Sequence, residues 1–251
     1  MAKFAQLVKQ VSFVGTAGVK KKLKKALIKR VLQQQPEVEY PALRPSDVEN
    51  ARLFATRSAM VEAFRPLLHG KRIAELGVAY GDFSEVLIKN LEPEQFFAFD
   101  TFTWHQDDVI TWGKRAKEVL GGLTHREFYA NRFSKFLTPV VIEEGDGRTN
   151  LGKYPNKYFD MIYVDADHSY WSVKKDADVS KEKLKDDGIL IFNDYLMFEY
   201  CSVAEPNASV WYGVVQVVNQ LVFYENFEVI GFALSRTMHC DIAVRRRRSP
   251  L

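Results

Sequence analysis

The pattern that most constrains this chain is an alternation, between residues 72 and 192, of short apolar runs and longer amphipathic segments. Short apolar runs bounded by turn residues read as buried strands, and the segments between them are long enough for crossover helices. Arg72–Leu76, Phe96–Phe99, Val140–Glu143, Phe159–Val164 and Ile189–Phe192 are the five predicted strands. Phe83–Leu91 and roughly Ser172–Lys185 are predicted helices, the second stopped by Asp187-Gly188, while residues 103–137 are helical in composition and long for one crossover. After the fifth strand the alternation breaks. Trp211–Tyr224 reads as a helix, and Phe227–Leu234 and His239–Val244 as two strands joined by a short turn. The expected fold is a doubly wound α/β sheet with an antiparallel addition at its end.

Ahead of this block, Asp47 reads as the N-cap of a helix with Leu53, Met60, Val61, Phe64 and Leu67 on its apolar face, ended by Pro66 and Gly70. Pro36–Pro45 reads as a linker, and residues 1–35 as a basic leader in which Val19, Leu23, Ala26, Leu27 and Val31 recur at helical spacing. The expected organisation is a helical leader and linker over 1–45, a catalytic domain over 46–244 and a basic tail over 245–251, read as exposed. Lys20, Lys21, Lys22, Lys24, Lys25, Lys29 and Arg30, with Arg245 to Arg248, make eleven of the 35 basic residues. The net charge of +3 therefore belongs to the ends, and the body is acidic. No nucleic-acid motif accompanies the lysines, and nucleic acid is not expected as a partner. The stripe over residues 19–31 suits either peripheral contact with an anionic membrane or packing on a second copy of the chain. Two cysteines without a CxxC pair fit a reducing compartment. No run approaches the roughly 20 apolar residues of a membrane span, and no signal peptide is evident, so a cytoplasmic location is the expectation.

The strand ends carry the chemistry. Gly77 and Gly81 lie in a small-residue turn directly after the first strand, where a backbone without Cβ atoms can approach a ligand and the next helix points its N-terminus. Alone, such a turn suits a nucleotide, a phosphate or no ligand at all. It is not GxGxxG, and no GKS or GKT is present. Glu75 precedes it, and Asp100 ends the second strand, where a carboxylate accepts hydrogen bonds from ribose hydroxyls. Asp146 ends the third strand, within reach of an adenine amino group. At the end of the fourth, Asp165, Asp167 and His168 lie close together, and Asn193-Asp194 ends the fifth. Oxygen ligands converging there suit Mg²⁺ or a similar cation, which would acidify a substrate hydroxyl. His168 is the candidate general base and Asp167 its rival. Asp165 touching only a cofactor, Asp167 capping a helix and Asn193 forming a turn is the competing structural reading.

ELGVAYGDFS, residues 75–84, resembles the first motif of class I S-adenosylmethionine-dependent methyltransferases. The resemblance runs from about residue 47 to 244 and implies a seven-stranded Rossmann-like sheet with an antiparallel final strand. It implies that Gly77 and Gly81 flank the methionine part of S-adenosylmethionine, that Ser84 caps the next turn, and that Glu75, Tyr80 and Ser84 belong to the cofactor site. Asp100 and Thr101 would hold the ribose, Asp146-Gly147 would lie along the adenine, and Asp165 would touch the cofactor. VDADHSY and FNDY are similar to segments of metal-dependent O-methyltransferases of the catechol and macrocin types, and of a bacterial group with a DxxHxY pattern. That likeness implies Asp165, Asn193 and Asp194 as cation ligands and a hydroxyl of a small molecule or glycan as acceptor. Histidine at 168 and Asn-Asp at 193–194 depart from the catechol pattern. A metal-independent methyltransferase and a nicotinamide-dependent oxidoreductase remain the alternatives.

Overall fold

The computed structural model describes residues 41–107, 110–111, 113–196, 199–201, 209–235 and 240–247. The basic leader with its Val19–Val31 stripe and Arg248 lie outside the described residues. Two units divide the chain. One, Met1–Glu39 with Glu199–Val210, contributes to the description the paired strands Glu199–Cys201 and Ser209–Trp211, the latter ending one residue past the unit. The other, Tyr40–Phe198 with Trp211–Leu251, holds the sheet.

In chain order the second unit contains α1 (Pro45–Val48), β1 (Arg52–Phe54), α2 (Arg57–Leu68), β2 (Arg72–Leu76), α3 (Asp82–Leu91) and β3 (Gln95–Asp100). Next come α4 (Trp104–Asp107), β4 (Ile110–Thr111), β5 (Lys114–Arg115), α5 (Ala116–Leu120), α6 (His125–Phe133), β6 (Val140–Glu144) and α7 (Gly147–Gly152). Then follow β7 (Phe159–Val164), α8 (Tyr170–Lys183) and β8 (Leu184–Phe192). With the small pair taken as β9 and β10, the chain closes with α9 (Val214–Tyr224), β11 (Phe227–Ala233) and β12 (Asp241–Arg246).

The sheet has eight strands in the order β1-β11-β12-β8-β7-β2-β3-β6, not the seven expected. The strands from β8 to β6 are parallel, and β12 is antiparallel to both of its neighbours. The added strand is β1, parallel to β11 at the edge. The sequence reading folded Leu53 into a helix. Instead Thr56 starts α2, its Oγ1 accepting a hydrogen bond from the Ala59 amide at 3.1 Å, and the residues before the cap pair with β11. Pro66 lies inside α2 and does not end it. The stretch 103–137 breaks into α4, the β4–β5 pair, α5 and α6, because Gly113, Gly121 and Gly122 all take positive φ.

Neighbouring residues on each strand face opposite layers, as the pleat requires. Ile73, Phe96 and Met161 pack with Met60, Phe64, Leu87 and Phe133 of α2, α3 and α6. Ala74, Phe97 and Ile162 pack with Leu151, Val173, Val217 and Leu221 of α7, α8 and α9. Both faces are thus covered, which a parallel sheet needs. The last strand extends to Arg246, two residues beyond the expected domain end at 244. Arg245 pairs with Glu228 at 2.9 Å and Arg247 with buried Asp47 at 2.5 Å, so neither belongs to a free tail.

Candidate functional site

Five parallel strands end in one row, joined by four backbone hydrogen bonds, in each of which the residue just beyond one strand donates to a carbonyl at the end of its neighbour. The Gly145 amide donates to the Asp100 carbonyl at 2.9 Å, Gly77 to Phe99 at 2.8 Å, Asp165 to Leu76 at 2.8 Å and Asn193 to Val164 at 3.0 Å. This ladder aligns the side chains that the sequence places at strand ends. Gly77 takes φ +84°, and a Cβ there would collide with the Asp165 carbonyl and sit 2.8 Å from the Ala166 Cα. Only glycine lets the turn cross that close to β7.

Two clefts share this turn as part of their lining. One, about 300 Å³, is lined by Gly77, Ala79, Asp100, Thr101, Asp146, Gly147 and Asp165, among others. The other, about 410 Å³, is lined by Arg57, Glu75, Gly77, Phe83, Trp104 and Asp165, among others. Tyr80, Gly81 and Ser84 line neither. Tyr80 is buried edge-on against Trp104, with ring centroids 4.9 Å apart, and so supports that wall from behind. Gly81 takes φ +86° as the N-cap of α3, where a Cβ would press on Phe133. Ser84 is buried and donates its hydroxyl to Glu75.

The acidic residues differ in what occupies them. Asp100 accepts from the amides of Val78 at 2.9 Å, Ala79 at 3.2 Å and Phe102 at 2.9 Å, so its carboxylate pins the glycine turn to the loop after β3. Asp146 caps α7 by accepting from the amide and hydroxyl of Thr149, both at 2.8 Å, and it pairs with Arg148 at 2.9 Å. That Arg148 bond, with the Thr149 amide, holds its pKa down to about 2. Asp167 accepts from the Ser169 amide at 2.9 Å and the Ser172 hydroxyl at 3.0 Å, and so braces the start of α8 from two residues ahead of its N-cap, Ser169. Glu75 faces the apolar layer between β2 and α3, where burial pushes its pKa up to about 8 against the opposing bond from Ser84. Burial, with the charge of Asp194 beside it, raises Asp165 well above the ordinary carboxylate range.

Asp165, His168 and Asp194 come together. The His168 Nε2 lies 3.5 Å from Asp165 Oδ1 and 3.5 Å from Asp194 Oδ2. Its ring stacks on Tyr212 with centroids 4.7 Å apart and planes 16° apart. The Gly213 amide, donating to the His168 carbonyl at 2.8 Å, ties the two loops together. Asn193 goes elsewhere: its amide donates to Asp241 Oδ1 at 3.0 Å and contacts the Tyr163 hydroxyl at 3.3 Å. Tyr163 in turn donates to Asp241 Oδ2 at 2.6 Å, and burial of Asp241 raises its pKa to about 6.

The expected ligand set Asp165, Asn193 and Asp194 is therefore not assembled. An imidazole sits between the two carboxylates, and among the described residues no group of three or more His, Cys, Asp or Glu side chains forms a cation cage. Sequence reasoning missed Arg57, Tyr163 and Asp241. Arg57 precedes the recognisable block, and Asp241 lies 48 residues beyond the Asn193 it bonds, so neither spacing nor motif marks them.

Residues 74–195 match a family described as a methyltransferase domain. No curated protein matches the chain. Three solved structures are similar to it. An S-adenosylmethionine-dependent O-methyltransferase of Thermotoga maritima is 14% identical over 90% of this chain and 73% of its own, with a TM-score of 0.46. A methyltransferase of Aquifex aeolicus dependent on the same cofactor is 14% identical over 88% and 97%, with a TM-score of 0.48. The M1A22 tRNA methyltransferase TrmK of B. subtilis is 14% identical over 77% and 67%, with a TM-score of 0.48.

Proposed function

We propose that the chain is an S-adenosylmethionine-dependent methyltransferase that methylates a hydroxyl oxygen of a small molecule or glycan with His168 as general base. The observation that carries this reading is the imidazole held between two carboxylates at the ends of β7 and β8, with Asp165 lining both clefts. A hydroxyl is a poor nucleophile until it loses its proton, whereas a free amine needs no such help. A base with two flanking carboxylates therefore favours an oxygen acceptor.

The residues fit the cofactor. Gly77, Asp100, Thr101, Asp146 and Gly147 form a cleft of nucleoside size, and Gly77 lets the turn pass without a side chain in the way. When bound, S-adenosylmethionine supplies a methyl group on a sulfonium sulfur. Transfer of that methyl to the acceptor's oxygen would leave the electron pair of the C–S bond on sulfur, and His168 would take the hydroxyl proton at Nδ1, since its Nε2 faces the two carboxyl groups. Asp165 Oδ1 and Asp194 Oδ2, each 3.5 Å from Nε2, stabilise the imidazolium that results. Asp167 is bound to the start of α8 and is the weaker candidate for the base. The donor set as arranged does not fit a divalent cation, since Asn193 is turned away and His168 stands between the carboxylates, and no step passes through one.

The test is turnover on a panel of phenols, sugars and aliphatic alcohols, read as S-adenosylhomocysteine released. His168→Gln should lower kcat by roughly 10²–10⁴-fold, the usual yield of general base catalysis, with affinity for S-adenosylhomocysteine unchanged. Full activity of that variant, or methylation of amines alone, would overturn the reading. Activity lost to chelator and restored by Mg²⁺ would reinstate the cation.

A further inference from the structure

We infer that Arg57 is the anchor for the carboxylate of the cofactor's amino-acid end, and that it sets a preference for ligands carrying that carboxylate. The inference rests on the cofactor reading above and goes beyond it, because no motif assigns a residue of α2 to the site.

Arg57 opens α2 immediately after the Thr56 cap, and it lines the 410 Å³ cleft, which shares Gly77, Ala79, Trp104, Asp165 and Ala166 with the nucleoside-sized one. Its guanidinium carbon sits 4.1 Å from the centroid of Phe83, so one face of the group is covered by a ring and its N–H donors lie at the edge. Among the described residues its hydrogen bonding amounts to one long contact, 3.5 Å, to the Tyr163 hydroxyl, and no carboxylate lies within ion-pair distance. That hydroxyl is already committed as a donor to Asp241. The charge of Arg57 is supported at longer range by Tyr163, Asp241 and Asp165, but most of its five donors are left for a ligand entering the cleft.

The other charged groups of the cleft do not meet that need. Asp82 is paired with Arg132 at 2.7 Å, and Glu75 is bonded to Ser84 inside the apolar layer. Asp165 stands on the shared wall with the other cleft. An α-amino acid end carries one group of each sign; this cleft presents the Arg57 guanidinium for the anion and the Asp165 carboxyl oxygens as acceptors for the ammonium N–H groups. Arginine suits the role because its planar fork meets a carboxylate with two parallel hydrogen bonds, which a lysine cannot do.

The test compares three probes by calorimetry on the full chain: S-adenosylhomocysteine, its decarboxylated analogue, and 5′-methylthioadenosine, which lacks the amino-acid end. The wild type should bind the decarboxylated analogue ~10- to 100-fold more weakly than S-adenosylhomocysteine, the range for a charge-assisted hydrogen bond. Arg57→Met should lose that preference and still bind 5′-methylthioadenosine like the wild type. Arg57→Lys, which keeps the charge without the fork, should retain part of the preference. A wild type that binds the two acid-differing ligands equally would overturn the inference and leave the cofactor reading standing. A wild type that binds none of the three would overturn both. Retention of the full preference in Arg57→Met would show that the carboxylate is held elsewhere.

Discussion

The buried Glu75 makes a prediction that can be worked through in numbers. Its side chain is almost wholly enclosed between β2 and α3, and its pKa rises from 4.5 to about 8. The native state therefore keeps a proton that the unfolded chain releases above pH 4.5. Its stabilising contribution is full below pH 4.5 and is lost progressively as pH rises through about 8. Between those limits the unfolding free energy should fall by about 1.4 kcal/mol per pH unit from this group alone, or ~5 kcal/mol across the window as an upper bound. Glu75→Gln keeps the shape and an acceptor for the Ser84 hydroxyl but does not titrate. Urea unfolding of both proteins at pH 5.5, 6.5 and 7.5 isolates the term, because groups common to both cancel in the difference. The variant should gain on the wild type by about 2.7 kcal/mol over those two pH units. Parallel stability curves would refute the reasoning, for they would mean that Glu75 is ionised in the native state.

Two further outcomes follow from the packing. Gly77→Ala should cost about 1–2 kcal/mol for the positive φ alone, more for the collision with the Asp165 carbonyl; a lowered urea midpoint and weakened S-adenosylhomocysteine binding would report it. Tyr163→Phe takes a donor from the buried Asp241 carboxylate, and chemical denaturation should show a loss of about 1–3 kcal/mol.

Much of the fold was legible because a parallel sheet writes itself as apolar runs. The runs ending at Leu76, Val164 and Phe192 mark true strand ends, and the residues after them are the ones that the ladder aligns. The edge strand β1 was not legible. It is three residues long, and Leu53 is largely exposed, so nothing in its pattern separates it from the helix that follows. In the site, types and positions were readable while loyalties were not. Asp146 and Asp167 look like ligand carboxylates in sequence, yet each has a local amide to accept from, and such short-range bonds form wherever the backbone turns suitably. Asn193 looks like the partner of Asp194, but its amide is taken by Asp241, and pairing across distant strands leaves no trace in local spacing. Arg57 was passed over because a charged residue at the start of a helix is unremarkable until the cleft beside it is seen.

The row of strand-end amides has a consequence for how the protein comes to be active. Gly77, Gly145, Asp165 and Asn193 follow four different strands and bond to three, β2, β3 and β7, so no hairpin or single crossover contains the site. Pairings so distant in sequence are costly to close and form slowly. Cofactor affinity should therefore appear only with the last phase of refolding, after most helical signal has returned. The pair of carboxyl groups around His168 is complete only when β8 lies beside β7, because Asp165 follows one strand and Asp194 the other.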